Sequence, residues 1–108
     1  MSELPPPPET FQRFVARYPD LGRAWELLGE AGRAGPLSPR ERRLVKLGIA
    51  VGCLREGAVH SAARKALSAD LSREELEQVV ALAASTIGLP SAVAAWSWIT
   101  ETVERPTL

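Results

Sequence analysis

Apolar residues recur along this chain at three- and four-residue steps, and valine and isoleucine nowhere alternate with polar residues. That pattern predicts helices and no strands. Phe11, Phe14, Val15 and Tyr18 share one face of a first helix over residues 9–18, which Pro19 ends. Pro19 also suits the first turn of a second helix, whose apolar face is Leu21, Trp25 and Leu28 and which GRAGPLSP closes near residue 33. Ser38-Pro39-Arg40-Glu41 has the form of a capping box, with Ser38 as N-cap, Pro39 at the first helical position and Glu41 reaching back from the third. It opens a third helix to about Cys53, with Leu44, Leu47, Val51 and Leu54 apolar. After a short break at residues 54–55, a fourth helix covers about 56–69. Ser72-Arg73-Glu74-Glu75 is a second capping box and opens a fifth helix through Ile87, with Leu76, Val79, Val80, Ala83 and Ala84 turned inward. Gly88 is placed for a left-handed cap, and Pro90 starts a sixth helix that carries Val93, Trp96 and Ile99 to about Glu104.

The expected fold class is therefore all-α, an antiparallel bundle of six helices joined by short loops. Frequent alanines on the last three helices permit close helix approach. Trp96 and Trp98 stand two residues apart, so both cannot face water comfortably. One is expected inside the subunit and the other against a neighbouring copy, the alternative being partial exposure on a monomer.

A length of 108 residues holds one domain, small enough that a partner subunit is useful in completing its core. Thirteen basic residues balance thirteen acidic ones, which argues against a nucleic-acid partner. No apolar run approaches the ~20 residues of a membrane span, so no membrane partner is expected. MSELPPPPET lacks the charged and apolar regions of a signal peptide, and the expected location is cytoplasmic. Residues 1–9, with four consecutive prolines, are expected to form a flexible arm, and residues 10–108 a single helical domain. One cysteine excludes an internal disulfide, and one histidine argues against a self-contained zinc site. Neither a metal nor a cofactor is expected.

Reactive side chains at suggestive spacing occur in one cluster, Cys53, Glu56 and His60. Glu56 and His60 are four apart and share a helix face. A carboxylate beside an imidazole favours the charged ring, orients it, and lets the pair move protons. Cys53 lies one turn before Glu56. A helix N-terminus lowers a thiol's pKa and a neighbouring carboxylate raises it, and the sequence does not rank the two. Arg55 and Arg64 flank the cluster and have the fork geometry to hold a substrate carboxylate. The alternatives are a solvated Glu–His pair, a small buried cysteine and two surface arginines.

Residues 37–104 resemble the carboxymuconolactone decarboxylase family, which shares an all-helical fold with alkylhydroperoxidase D. The resemblance is carried by ERRLVKLGIAVG, EGAVHSAARKAL and Gly88-Leu89-Pro90 before the last helix. In the peroxidase branch a Glu precedes two cysteines and a histidine, a motif matched here by Glu41, Cys53 and His60, with Glu56 in place of the second cysteine. The dithiol cycle is then lost, and Cys53 alone needs an external thiol. The decarboxylase branch lacks the cysteines and carries an Arg-Glu-Gly like Arg55-Glu56-Gly57, which favours a non-redox site. It also carries a histidine where this chain has Ala62, so the lactone decarboxylation itself is not carried over. The resemblance further implies a homo-oligomer, a trimer or hexamer. It gives Glu41 a proton-relay role, but Glu41 stands 12 residues before Cys53, ~18 Å along a straight helix, which favours the cap.

The resulting expectation is a small-molecule enzyme. Glu56 and His60 exchange protons with an acidic or lactone-type substrate in a solvent-reachable hollow near Cys53, while Arg55 or Arg64 holds a carboxylate. A one-cysteine peroxidase using Cys53, and a non-catalytic ligand-binding oligomer, are the alternatives.

Overall fold

A computed structural model of the chain describes residues 9–105. Its elements are α1 (Glu9–Arg17), α2 (Pro19–Arg33), α3 (Pro39–Cys53), α4 (Glu56–Ser68), α5 (Arg73–Ile87) and α6 (Leu89–Glu104), and no strand occurs among the described residues. The all-α class and the helix boundaries agree with the periodicity and its punctuation. Glu9, counted with the arm in the sequence reading, is the first residue of α1. The proline run at 5–8 lies outside the described residues.

Both expected capping boxes form. The Ser38 hydroxyl accepts from the Glu41 N–H at 3.1 Å while the Glu41 carboxylate accepts from the Ser38 N–H at 2.8 Å. Ser72 and Glu75 repeat the arrangement at 3.1 and 2.9 Å. Arg40 then donates to Glu75 at 2.7 Å, tying the first turns of α3 and α5 together. The ends of α3 and α4 use a device with no sequence marker. Leu54 (φ 52°) and Asp70 (φ 64°) adopt left-handed backbone, which costs a non-glycine residue about 1–2 kcal/mol. Each completes a Schellman turn. Arg55 N–H reaches Ala50 O at 3.5 Å and Leu54 N–H reaches Val51 O at 3.0 Å, while Leu71 and Asp70 bond Ala66 and Leu67, both at 3.1 Å. Leu71 then enters the core, the apolar contact that usually accompanies this turn. The Leu54 turn is so tight that Glu56 becomes the first residue of α4.

In the bundle, α3 packs on α4 and α5, and α6 packs on the same two helices. The core is Leu47, Ala50, Val51, Val59, Ala63, Ala66, Leu71, Leu76, Val80, Ala92, Ala95 and Ile99, with no buried polar residue among those described. Each fully buried Leu, Ile or Val contributes roughly 1.5–3 kcal/mol over exposure, and the alanines let the helix axes close in. Trp98 packs on this core, whereas Trp96 stays largely exposed and donates its indole N–H to Glu77 at 2.9 Å.

One expectation, the left-handed cap at Gly88, is corrected. On α6 the buried stripe is Ala92, Ala95 and Ile99, while Val93 and Trp96 are exposed. The alanines, not the larger side chains, fit the space beside α4 and α5. Gly88 has φ 91° and ψ 154°, a glycine conformation outside the left-handed helical region, which turns the chain directly from α5 into α6. The apolar faces of α1 and α2 are real but uncovered, since neither helix has a buried residue. These two helices pack mainly on each other, through Phe11 against Trp25 (ring centroids 6.3 Å apart) and Val15 against Gly22, where an added Cβ would come within 3.2 Å. No described helix is long and apolar enough to cross a membrane.

Candidate active site

The seam between α4 and α6 brings four polar side chains to one point. His60 stands in the second turn of α4, directly above Glu56 in the first, and its Nε2 lies 3.3 Å from Glu56 Oε2. Glu101, in the last turn of α6, places its Oε2 3.7 Å from the same nitrogen. On the other side of the ring, Nδ1 lies 2.7 Å from the Thr102 hydroxyl oxygen. That hydroxyl donates to the Trp98 carbonyl, one turn back along α6, at 3.1 Å. With its hydrogen so committed, Thr102 is an acceptor, and Nδ1 is the donor.

This chain of contacts fixes the ring from behind and presents Nε2 to two carboxylates. A ring protonated on both nitrogens satisfies every contact at once. A neutral ring that keeps its Nδ1 hydrogen turns a bare lone pair toward Glu56 and Glu101. The His60 side chain is 17% exposed, and the two glutamates are 57% exposed each, so the group is reachable from outside. The helix ends contribute as well. Glu56 sits where the amide end of α4 favours a negative charge, and Glu101 adds its charge to the carbonyl end of α6. The result is a local concentration of negative potential focused on Nε2.

Glu56 and His60 are thus brought together as their spacing predicts. Glu101 and Thr102 are the partners sequence reasoning missed. They lie 41 and 42 positions beyond His60, and their signal is slight, a polar Thr-Glu-Thr run closing an otherwise apolar helix. Cys53 is exposed at the carbonyl end of α3, and no hydrogen bond joins it to Glu56 or His60. Arg55 is the exposed N-cap of α4. Glu41 is engaged in its capping box, and the Ser38 backbone N–H, then the Ser38 hydroxyl, hold its carboxyl below the usual range.

A groove of about 560 Å³ lies between α3 and α5, lined by Leu44, Val45, Gly48, Val79, Leu82 and Ile87 among others. A smaller one lies beside the α2–α3 loop. Cys53, Arg55, Glu56, His60 and Arg64 line neither. The groove is apolar because both helices present small and aliphatic residues there, while the titratable group occupies the α4–α6 seam.

Arg64 lies one turn beyond His60 on α4 and belongs to a cluster of cations. Burial lowers the pKa of Lys65, and Arg43, Lys46 and Arg64 lower it further by repulsion. Arg43 is likewise lowered, first by burial and then by Arg42 and Arg33. Among the described residues none of Arg43, Lys46, Arg64 and Lys65 has an acidic partner within ion-pair distance. Such a patch suits an anion.

A sequence profile described as the carboxymuconolactone decarboxylase family matches residues 19–101, from the start of α2 to Glu101. No curated protein and no solved structure gives a significant match. The matched span takes in Glu56, His60 and Glu101 and stops one residue before Thr102, and it establishes that the chain belongs to the carboxymuconolactone decarboxylase family.

Proposed function

We propose that this protein is a cytoplasmic, homo-oligomeric acid–base enzyme, a carbon–carbon lyase acting on a small carboxylated or lactone-type substrate. The observation that carries this reading is the presentation of His60 Nε2 between two carboxylates, with the ring held from behind by Thr102. As the substrate's carboxylate departs as carbon dioxide, Nε2 delivers its proton to the carbon left with the electron pair and takes a new proton from solvent. Glu56 and Glu101 orient the ring through their contacts with Nε2. Arg64, with the unpaired cations Arg43, Lys46 and Lys65 behind it, attracts the substrate carboxylate, and Arg55 at the mouth of α4 is its second candidate holder. Assembly is supported by the uncovered faces of α1 and α2, which need an apolar partner that this chain leaves unfilled.

One-cysteine redox chemistry is the second reading, favoured by the exposure of Cys53. No hydrogen bond joins the thiol to the histidine. Turnover of a panel of carboxylated lactones separates the two. In the acid–base reading His60→Gln lowers kcat by about 10²–10⁴, Glu56→Gln lowers kcat, Arg64→Ala raises KM, and Cys53→Ser changes neither. If Cys53→Ser abolishes thiol-dependent peroxide reduction while His60→Gln leaves lactone turnover intact, the redox reading replaces it.

A further inference from the structure

The same geometry points to a metal site. We propose that His60 Nε2 and one carboxylate oxygen each from Glu56 and Glu101 bind a divalent transition-metal ion of the zinc or cobalt kind, which takes the place of the Nε2 proton. The three donor atoms lie within 4.8 Å of one another. With metal–ligand bonds of ~2.0–2.2 Å, the edge of a tetrahedral site is about 3.3–3.6 Å. The two distances from Nε2, 3.3 Å to Glu56 and 3.7 Å to Glu101, already stand close to that edge. Both carboxylates are more than half exposed, so a small rotation of either side chain closes the remaining gap without disturbing the core.

Two features distinguish this group from a chance meeting of acids. The first is the second shell. A metal-bound imidazole ordinarily donates its other N–H to an oxygen acceptor, which fixes the ring and its tautomer. Nδ1 donates to Thr102 in this way at 2.7 Å, and Thr102 is itself anchored on the Trp98 carbonyl. The second is the field. Two carboxylates and the carbonyl end of α6 converge on Nε2, and among the described residues no lysine or arginine forms an ion pair with Glu56 or Glu101. An imidazole nitrogen among the donors favours zinc-like ions over calcium or magnesium, which take oxygen ligands. Three protein donors leave a fourth position for water or a substrate oxygen.

Metal and proton compete for one nitrogen, so a bound metal would displace the proton transfer at Nε2, and the metal site stands apart from the proposed acid–base function. The probe is Co²⁺ or Zn²⁺ alone, titrated into the full chain carrying Cys53→Ser, which removes the exposed thiol as a rival ligand. Binding is read by calorimetry and by the visible absorption of Co²⁺, with far-ultraviolet circular dichroism confirming that each variant is folded. One ion per chain is expected. His60→Gln abolishes binding, Glu101→Gln weakens it at least tenfold, and Thr102→Val weakens it 10–100-fold while leaving all three ligands in place. No binding at millimolar metal, or equal binding by the folded His60→Gln variant, overturns the proposal. Loss of lactone turnover in His60→Gln without any metal binding refutes the metal site alone. Metal binding without turnover of any carboxylated lactone refutes the acid–base reading alone.

Discussion

The α1–α2 hairpin and the α3–α6 bundle are made of the same helix-forming residues and differ in what their apolar faces touch. In the bundle, helices of 13–16 residues bury a stripe each and share one core. In the hairpin, Leu21, Trp25, Leu27 and Leu28 are all at least half exposed, and Trp25 keeps 58% of its surface in water even with Phe11 against it. Helices of this length are marginal in isolation. The bundle holds itself together, whereas the hairpin has helical sequence and an apolar face but no cover among the described residues. An amphipathic stripe therefore specifies a helix without specifying which surface buries it. Where the described helices supply no surface, the stripe stays exposed.

Substitutions sharpen this contrast. Leu76→Ala and Leu47→Ala, at fully buried positions, are expected to lower unfolding free energy by about 2–5 kcal/mol in denaturant titrations. Ser72→Ala removes one hydrogen bond of the α5 capping box and costs about 1 kcal/mol in the same assay. Leu28→Ala removes as much apolar side chain as a core leucine does, yet within a single chain it changes stability by no more than about 0.5 kcal/mol. Its effect appears in sedimentation velocity, as weaker self-association. A Leu28→Ala cost equal to that of Leu76→Ala, in a chain that sediments as a monomer, would erase the distinction between the two regions. The smallest effect is one of pH. Backbone N–H bonds from Ser38 and Ser72 hold Glu41 and Glu75 below the ordinary carboxylate range, with Arg40 adding to the effect on Glu75. Their stabilising contribution is complete above the unfolded-state pKa near ~4.3 and is lost as pH falls through the lower folded values. Acid melts of Glu75→Gln should therefore be less pH-dependent than those of the parent.

Most of the helical architecture was legible because prolines and serine caps mark the helix starts. Pro19, Ser38 with Pro39, and Ser72 each announce a first turn, and the structure honours all three. The helix ends were harder to read, since Leu54 and Asp70 take left-handed backbone where a glycine would have been the visible sign. On α6 the large apolar residues Val93, Trp96 and Ile99 stand out in the sequence, yet the space beside α4 and α5 takes Ala92 and Ala95 with Ile99, and nothing local marks those alanines as the buried ones. At the site, local spacing gave the Glu56–His60 pair, which needs only one helix turn. Glu101 and Thr102 come from a helix that α4 meets only in the folded chain, and no short-range pattern announces such a partner. The position of the large groove was hidden for the same reason, because it depends on which two helices lie side by side.

The account rests on the direction in which the single histidine of the chain points its two nitrogens, and nitrogen-15 correlation spectra of its ring read that direction without overlap. In the neutral ring Nδ1 is expected to carry the hydrogen and Nε2 the lone pair, with Thr102→Val removing the preference. A neutral ring that carries its hydrogen on Nε2 would contradict the geometry on which both the proton transfer and the metal site are built.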